Sequence, residues 1–165
     1  MSKTSSEEQI PRELTLDQTY DRCVAEGNII FQDQVDINRI NSMIQIAKDD
    51  LESAKSLLKN KEPRFSSVYK LYYDVIHQLT EALLLFDKIK SYNHQCLFSY
   101  LCLKHPELEL DWNFFEKIRT KRNGVHYYGN PILKKDWTEI ELQMGLYVKT
   151  ILAALESKMK DNLFQ

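Results

Sequence analysis

The chain has 165 residues, 22 Lys and Arg against 24 Asp and Glu for a net charge of −2, and only four Gly and four Pro. So few turn residues exclude a β-sandwich or barrel, which needs them roughly every ten positions. The longest apolar runs, 82–86 and 151–155, are five residues each, far too short to cross a membrane, and 43% hydrophobic content excludes wholesale disorder.

Residues 1–13, with Ser5-Ser6-Glu7-Glu8, are polar and lack the apolar core of a secretory signal. They are expected to form a flexible tail to one domain over 14–165, a length that suits a single hydrophobic core. Cys23, Cys96 and Cys102 are an odd and low count, which predicts reduced thiols and a cytoplasmic setting.

Pro11, Gly27, Pro63, Pro106 and Gly129-Asn130-Pro131 divide the chain into stretches long enough for helices. Ile37, Ile40, Ile44, Ala47, Leu51, Ala54 and Leu58 recur in steps of three and four, with Asp36 as N-cap and Lys55 and Lys59 at the C-terminal dipole. Pro63 stops this helix, so the next turns back. Its seam runs through Phe65, Val68, Tyr72, Val75, Leu79, Ala82, Phe86 and Ile89. A shorter helix is expected over Asn93–Leu103. Another follows Asp111 and ends near Tyr128, stopped by Gly129 and Pro131. The last carries Trp137, Ile140, Met144, Tyr147, Ile151 and Ala154 on one face. The expected fold is all-α: an antiparallel up-and-down bundle of four main helices plus one or two short ones.

The chemistry concentrates in Lys117-Ile-Arg-Thr-Lys-Arg-Asn-Gly-Val-His-Tyr-Tyr-Gly129. With Ile118 at zero on a helical wheel, Arg122, His126, Arg119 and Asn123 fall at about 40°, 80°, 100° and 140°. Two guanidiniums, an imidazole and a carboxamide thus share one arc beside the buried stripe. Arginine grips a phosphate at two oxygens and stabilises added negative charge, and histidine exchanges a proton near neutral pH. Asn123 can orient either group. Tyr127 and Tyr128 at the helix end can stack on an unpaired base. This set suffices for metal-independent RNA cleavage by 2′-hydroxyl attack. Basic residues near a helix C-terminus are also favoured by the dipole alone, and a helix-edge His commonly serves structure, so a plain structural bundle stands beside the catalytic reading. Gly124 inside this helix costs about 1 kcal/mol relative to Ala, either for close approach at an interface or as a simple weakness.

Two other groupings carry less. His94, Cys96, Cys102 and His105 invite a zinc reading, but on one helix the two histidines are about 16 Å apart along the axis, so no metal site is expected. Tyr69, Tyr72, Tyr73 and His77 read mainly as core by their spacing, with a hydroxyl or His77 reaching the cleft as the functional alternative.

Arg122-Asn-Gly-Val-His-Tyr-Tyr-Gly129 resembles the signature end of HEPN domains, helical bundles whose catalytic members are metal-independent ribonucleases. Upstream, the helix around Asp50–Leu58, the tyrosine-rich stretch Val68–Leu83 and Ser91-Tyr-Asn-His94 follow the order of that family, so the resemblance spans roughly residues 36–160. Catalytic members carry an Arg, four to six residues and then a His, usually with a polar residue after the Arg. Arg122-Asn123 matches the Arg-polar pair with three residues before His126, and Arg119 precedes His126 by six intervening residues but is followed by Thr120. Tyr128 matches a Tyr two positions after the His in toxin-like members.

The resemblance implies a ribonuclease that forms a homodimer and pairs, as a toxin, with a small nucleotidyltransferase antitoxin. Arg122, His126, Asn123, Arg119 and Tyr128 are then its catalytic set, and Lys117, Lys121 and Tyr127 are its RNA or phosphate contacts. No cofactor is implied. The alternative is a noncatalytic HEPN-like module that binds a nucleotide, an RNA or the nucleotidyltransferase. The charge pattern suits a localised RNA contact: residues 117–135 carry six basic and no acidic residues, leaving −8 on the rest of the chain.

Overall fold

The structure, a computed structural model, describes residues 13–162. Apart from Glu13, the tail expected over 1–13 lies outside the described residues, as do the last three residues of the chain. The fold is an all-helical bundle, with helices α1 (Leu16–Ala25), α2 (Ile37–Leu58), α3 (Phe65–Phe86), α4 (His94–Lys104), α5 (Trp112–Tyr128) and α6 (Lys134–Asn162).

Local chemistry explains the helix starts. Asp36, Asn93 and Asp111 each accept a hydrogen bond from a backbone N–H of the first turn, satisfying donors the helix itself leaves free. Thr15 and Gln18 form a capping box at α1.

Side-chain pairings fix the helix directions. Arg39 near the start of α2 meets Glu81 near the end of α3, so these two are antiparallel. Lys117 pairs with Glu139 and Lys121 with Asp136, so α5 and α6 are antiparallel. Tyr72 packs on Trp137 and Lys158 reaches Asp87, so α3 and α6 run the same way. The four long helices therefore alternate up and down. Helix α3 is central: besides the expected seam, Tyr69, Tyr73, Ile76, Leu83 and Leu84 are fully buried, because α4 and α5 cover its second face.

Two features differ from the sequence reading. The seam of α3 stops at Phe86, where Lys88 turns left-handed (φ 57°) and Ile89 enters a short strand instead. That strand, β2 (Ile89–Lys90), pairs antiparallel with β1 (Ile30–Phe31), and the clip sets the Ser91–Asn93 turn that launches α4.

The second is a correction. Cys23 and Cys96 are not reduced thiols but a disulfide between α1 and α4, and only Cys102 is a free, buried thiol. The partners are 73 residues apart in sequence, so no local spacing announces the bond. It exists because α1 packs along α4.

Candidate functional site

Helix α5 is held in rotation by its buried stripe of Trp112, Phe114, Phe115 and Ile118, and by Tyr69 of α3, whose hydroxyl donates to the Ile118 carbonyl at 3.0 Å. Gly129 ends the helix in the left-handed region (φ 66°), and Asn130 N–H returns to the Gly124 carbonyl at 3.1 Å. With the stripe facing inward, the predicted arc lies along the edge of α5. The bundle does not gather it around one cavity.

Arg122 and His126 share a cleft with Ser67, Lys70 and Asp74 of α3. Arg119, Arg122, Asn123 and Tyr127 share another with Tyr92 and His94, at the start of α4. Arg119, Lys121, Asn123 and Tyr128 border a third, closed by Asn130 and Pro131. Arg122 is the predicted residue that joins the His126 cleft to the His94 cleft.

The ion pairing separates the basic residues further. Arg119 makes a two-point contact with Glu116 (Nε–Oε1 2.9 Å, Nη2–Oε2 3.0 Å), which holds its guanidinium charged. Glu116 also accepts from Gln95, which in turn accepts from Arg22, so a polar chain ties α5 to α4 and α1. Lys117 pairs with Glu139 and Lys121 with Asp136 at 2.6 Å, and both carboxyls are pulled below the usual range by these bonds. Arg122 makes no ion pair among the described residues. Its guanidinium lies 5.5 Å from the centre of the Tyr73 ring, a cation–π arrangement that keeps its charge available.

Behind Arg122 lies a cluster that joins Tyr73 and His77, read from the sequence mainly as core with a hydroxyl or His77 reaching the cleft as the alternative, to His94 and Phe98. Tyr73 Oη and His94 Nδ1 are hydrogen-bonded at 2.9 Å, the His77 and His94 rings are 4.0 Å apart, and Phe98 meets Tyr73 and His77 edge-on. Burial, reinforced by His94 and Arg122, pushes His77 down to about 3. Burial and the two arginines likewise lower His94, so both imidazoles are neutral at pH 7. Desolvation raises the Asp74 carboxyl, with Arg122 opposing. The Tyr73–His77 spacing of four was visible as one helix face. The approach of His94 was not, because it comes from another helix.

Of the remaining predicted residues, His126 is exposed and its ring meets Tyr127 edge-on at 4.9 Å. Tyr127 and Tyr128 are 67% and 78% exposed, free to stack on a base. The zinc grouping is dispersed: Cys96 is disulfide-bonded, and His105 bridges Asp87 and Glu107. Among the described residues no three His, Cys, Asp or Glu side chains gather as metal ligands, and no helix is long and apolar enough to cross a membrane. Compared with known proteins, the chain matches no family model, no curated protein and no solved structure.

Proposed function

We propose that this protein is a metal-independent endoribonuclease of the HEPN kind, acting at the edge of α5. The observation that carries the reading is Arg122: a guanidinium with no carboxylate partner among the described residues, in a cleft with His126 and open to a second cleft on its other side. In the reaction, His126 takes the proton of a 2′-hydroxyl, and the 2′-oxygen attacks the adjacent phosphorus. The 5′-oxygen leaves with a proton taken from solvent water, and a 2′,3′-cyclic phosphate remains. Arg122 holds the charge that builds on the phosphoryl oxygens, and Asn123 beside it orients the phosphate. Arg119 is the supporting cation, its reach limited by Glu116. Lys117, Lys121, Tyr127 and Tyr128 extend the RNA contact, the two lysines by exchanging their carboxylate partners for a phosphate.

The same reading makes the protein the toxin of a toxin–antitoxin pair, with a small nucleotidyltransferase as antitoxin, acting as a homodimer in the cytoplasm. The Cys23–Cys96 bridge pulls against that compartment, since disulfides persist mainly where the surroundings are oxidising. Thiol counting on protein alkylated during lysis decides this point: a Cys23–Cys96 pair that escapes alkylation contradicts a reducing setting.

The test of catalysis is cleavage of single-stranded RNA in EDTA by the wild type and by His126→Ala. The reading expects cleavage by the wild type and a loss of about 100-fold or more in the variant. A second reading, the noncatalytic module that binds nucleotide, RNA or the nucleotidyltransferase, is favoured by the neutralisation of Lys117, Arg119 and Lys121. It expects Arg122→Ala to weaken binding with no cleavage to lose, and RNA turnover dependent on His126 excludes it.

A further inference from the structure

We propose that the RNA phosphate is seated on the α4 side of Arg122, in the cleft formed by His94, Arg119, Arg122 and Asn123, with the flanking bases stacked on Tyr92 and Tyr127. The inference rests on the RNA reading above and adds to it a phosphate ligand, His94, a positioning residue, Tyr73, and a second stacking platform, Tyr92.

The cleft encloses about 270 Å³ and is lined by donors and cations. Tyr73 is buried with its phenol held protonated by desolvation, and His94 Nδ1 is its one hydrogen-bond partner among the described residues, so the O–H that would otherwise be left unsatisfied donates there. A neutral imidazole that accepts at Nδ1 carries its hydrogen on Nε2. His94 is half-buried and borders the cleft, where that N–H is a neutral donor for a phosphate oxygen. The charged and titratable groups facing His94 are Tyr73 and His77 from α3 and Arg119 and Arg122 from α5. Arg122, with no ion pair among the described residues, and Arg119, held by Glu116, flank the neutral imidazole, and no acidic residue lines the cleft wall, which matches an anion. Asn123 adds a carboxamide, while Asn93 is occupied capping α4.

The rims are aromatic. Tyr92 is 75% exposed and Tyr127 67% exposed, and they stand at the α4 and α5 sides of the same cleft. Lys90 Nζ lies over one face of Tyr92 at 4.5 Å, and an anion seat between these two exposed rings fits one phosphodiester with a base on either side, the repeat unit of a single strand. His126 lines the opposite cleft and touches this one through Tyr127, whose ring it meets edge-on. The opposite cleft sets Asp74 beside Lys70 and Arg122, a carboxylate that the His94 cleft lacks.

The experiment titrates the full chain with an uncleavable 2′-O-methyl RNA tetranucleotide and follows the four histidine side chains by nitrogen-15 NMR. The expected result is a saturable shift of the His94 ring signals. Affinity is expected to fall about 5-fold or more in Tyr92→Ala, which removes one stacking face. Arg122→Gln is expected to weaken it at least as much. Tyr73→Phe, which keeps the ring in the core, is expected to weaken binding and to move the His94 signals even without RNA. A silent His94 with a responding His126, unchanged affinity in Tyr92→Ala, or no binding of the oligonucleotide overturns the proposal. Cleavage of natural RNA in EDTA is scored separately. A responding His94 without cleavage removes the ribonuclease reading and leaves the phosphate seat. Cleavage with a silent His94 does the reverse.

Discussion

At the residue scale, neighbours decide what each α5 cation can do. Lys117, Arg119 and Lys121 have identical formal charge to Arg122, yet each faces a carboxylate of α5 or α6. Arg122→Gln is therefore expected to lower RNA cleavage by about 100-fold or more, the scale of losing one charge-stabilising donor. Lys117→Gln and Lys121→Gln are expected to change it only a few-fold, which steady-state assays of the three variants check. Histidine environments set the pH dependence of stability. His77, with its folded value near 3, binds its proton more readily when unfolded. Its contribution is present above about pH 6.5 and is lost as pH falls toward 3, by up to about 1.4 kcal/mol for each pH unit. His105 has the opposite sign. Its hydrogen bond to Asp87, chiefly, and that to Glu107 raise its value, so its contribution is full below about pH 6.5 and is lost as pH rises through the folded value. Urea denaturation across pH is expected to show both limbs, with the acid limb flattened in His77→Phe and the upper one in His105→Gln.

At the element scale, the sequence was most legible where periodicity and caps agreed. Asp36, Asn93 and Asp111 begin α2, α4 and α5, and Gly129 ends α5, each visible as a residue type at a boundary. What resisted reading came from contacts between distant segments. The two-residue strands have no length to make a pattern, the Cys23–Cys96 bridge spans 73 residues, and His94 meets Tyr73 only after α4 folds onto α3. The wheel placed the polar arc of α5 on the correct edge. It could not show that α3, α4 and the 129–131 turn divide that edge into separate clefts, or that Glu116 lies over Arg119. Two stability predictions belong here. A Cβ at Gly124 would meet Asn130 at an ordinary 3.5 Å, so Gly124→Ala is expected to stabilise the monomer by about 0.5–1 kcal/mol through helix propensity. Replacing Cys23 and Cys96 by Ser is expected to cost about 2–4 kcal/mol in chemical denaturation, the usual range for a native disulfide. Equal stability of oxidised and doubly substituted protein would contradict the bond.

At the scale of the whole molecule, a net charge of −2 is compatible with RNA because the bundle sorts its charges. The basic stretch 117–135 lies along α5 and the start of α6, but Glu116, Asp136 and Glu139 pair with half of it, leaving Arg122, Lys134 and Lys135 without an ion pair among the described residues. RNA affinity is therefore expected to depend only shallowly on salt. A log–log slope of about −1.4 to −2.1 corresponds to two or three phosphate contacts on a single strand. A steep slope would mean that the lysines carry the binding instead. Long helices, caps and a buried stripe exist in this picture to present one edge of α5, with α3 and α4 supplying the walls. The central claim is that this edge cleaves RNA through its own side chains. Its most direct measurement is the cleavage of single-stranded RNA in EDTA by purified wild type, His126→Ala and Arg122→Gln. The account predicts cyclic-phosphate ends from the wild type and at least a 100-fold loss in both variants. Equal activity in all three, or none in the wild type, would contradict it.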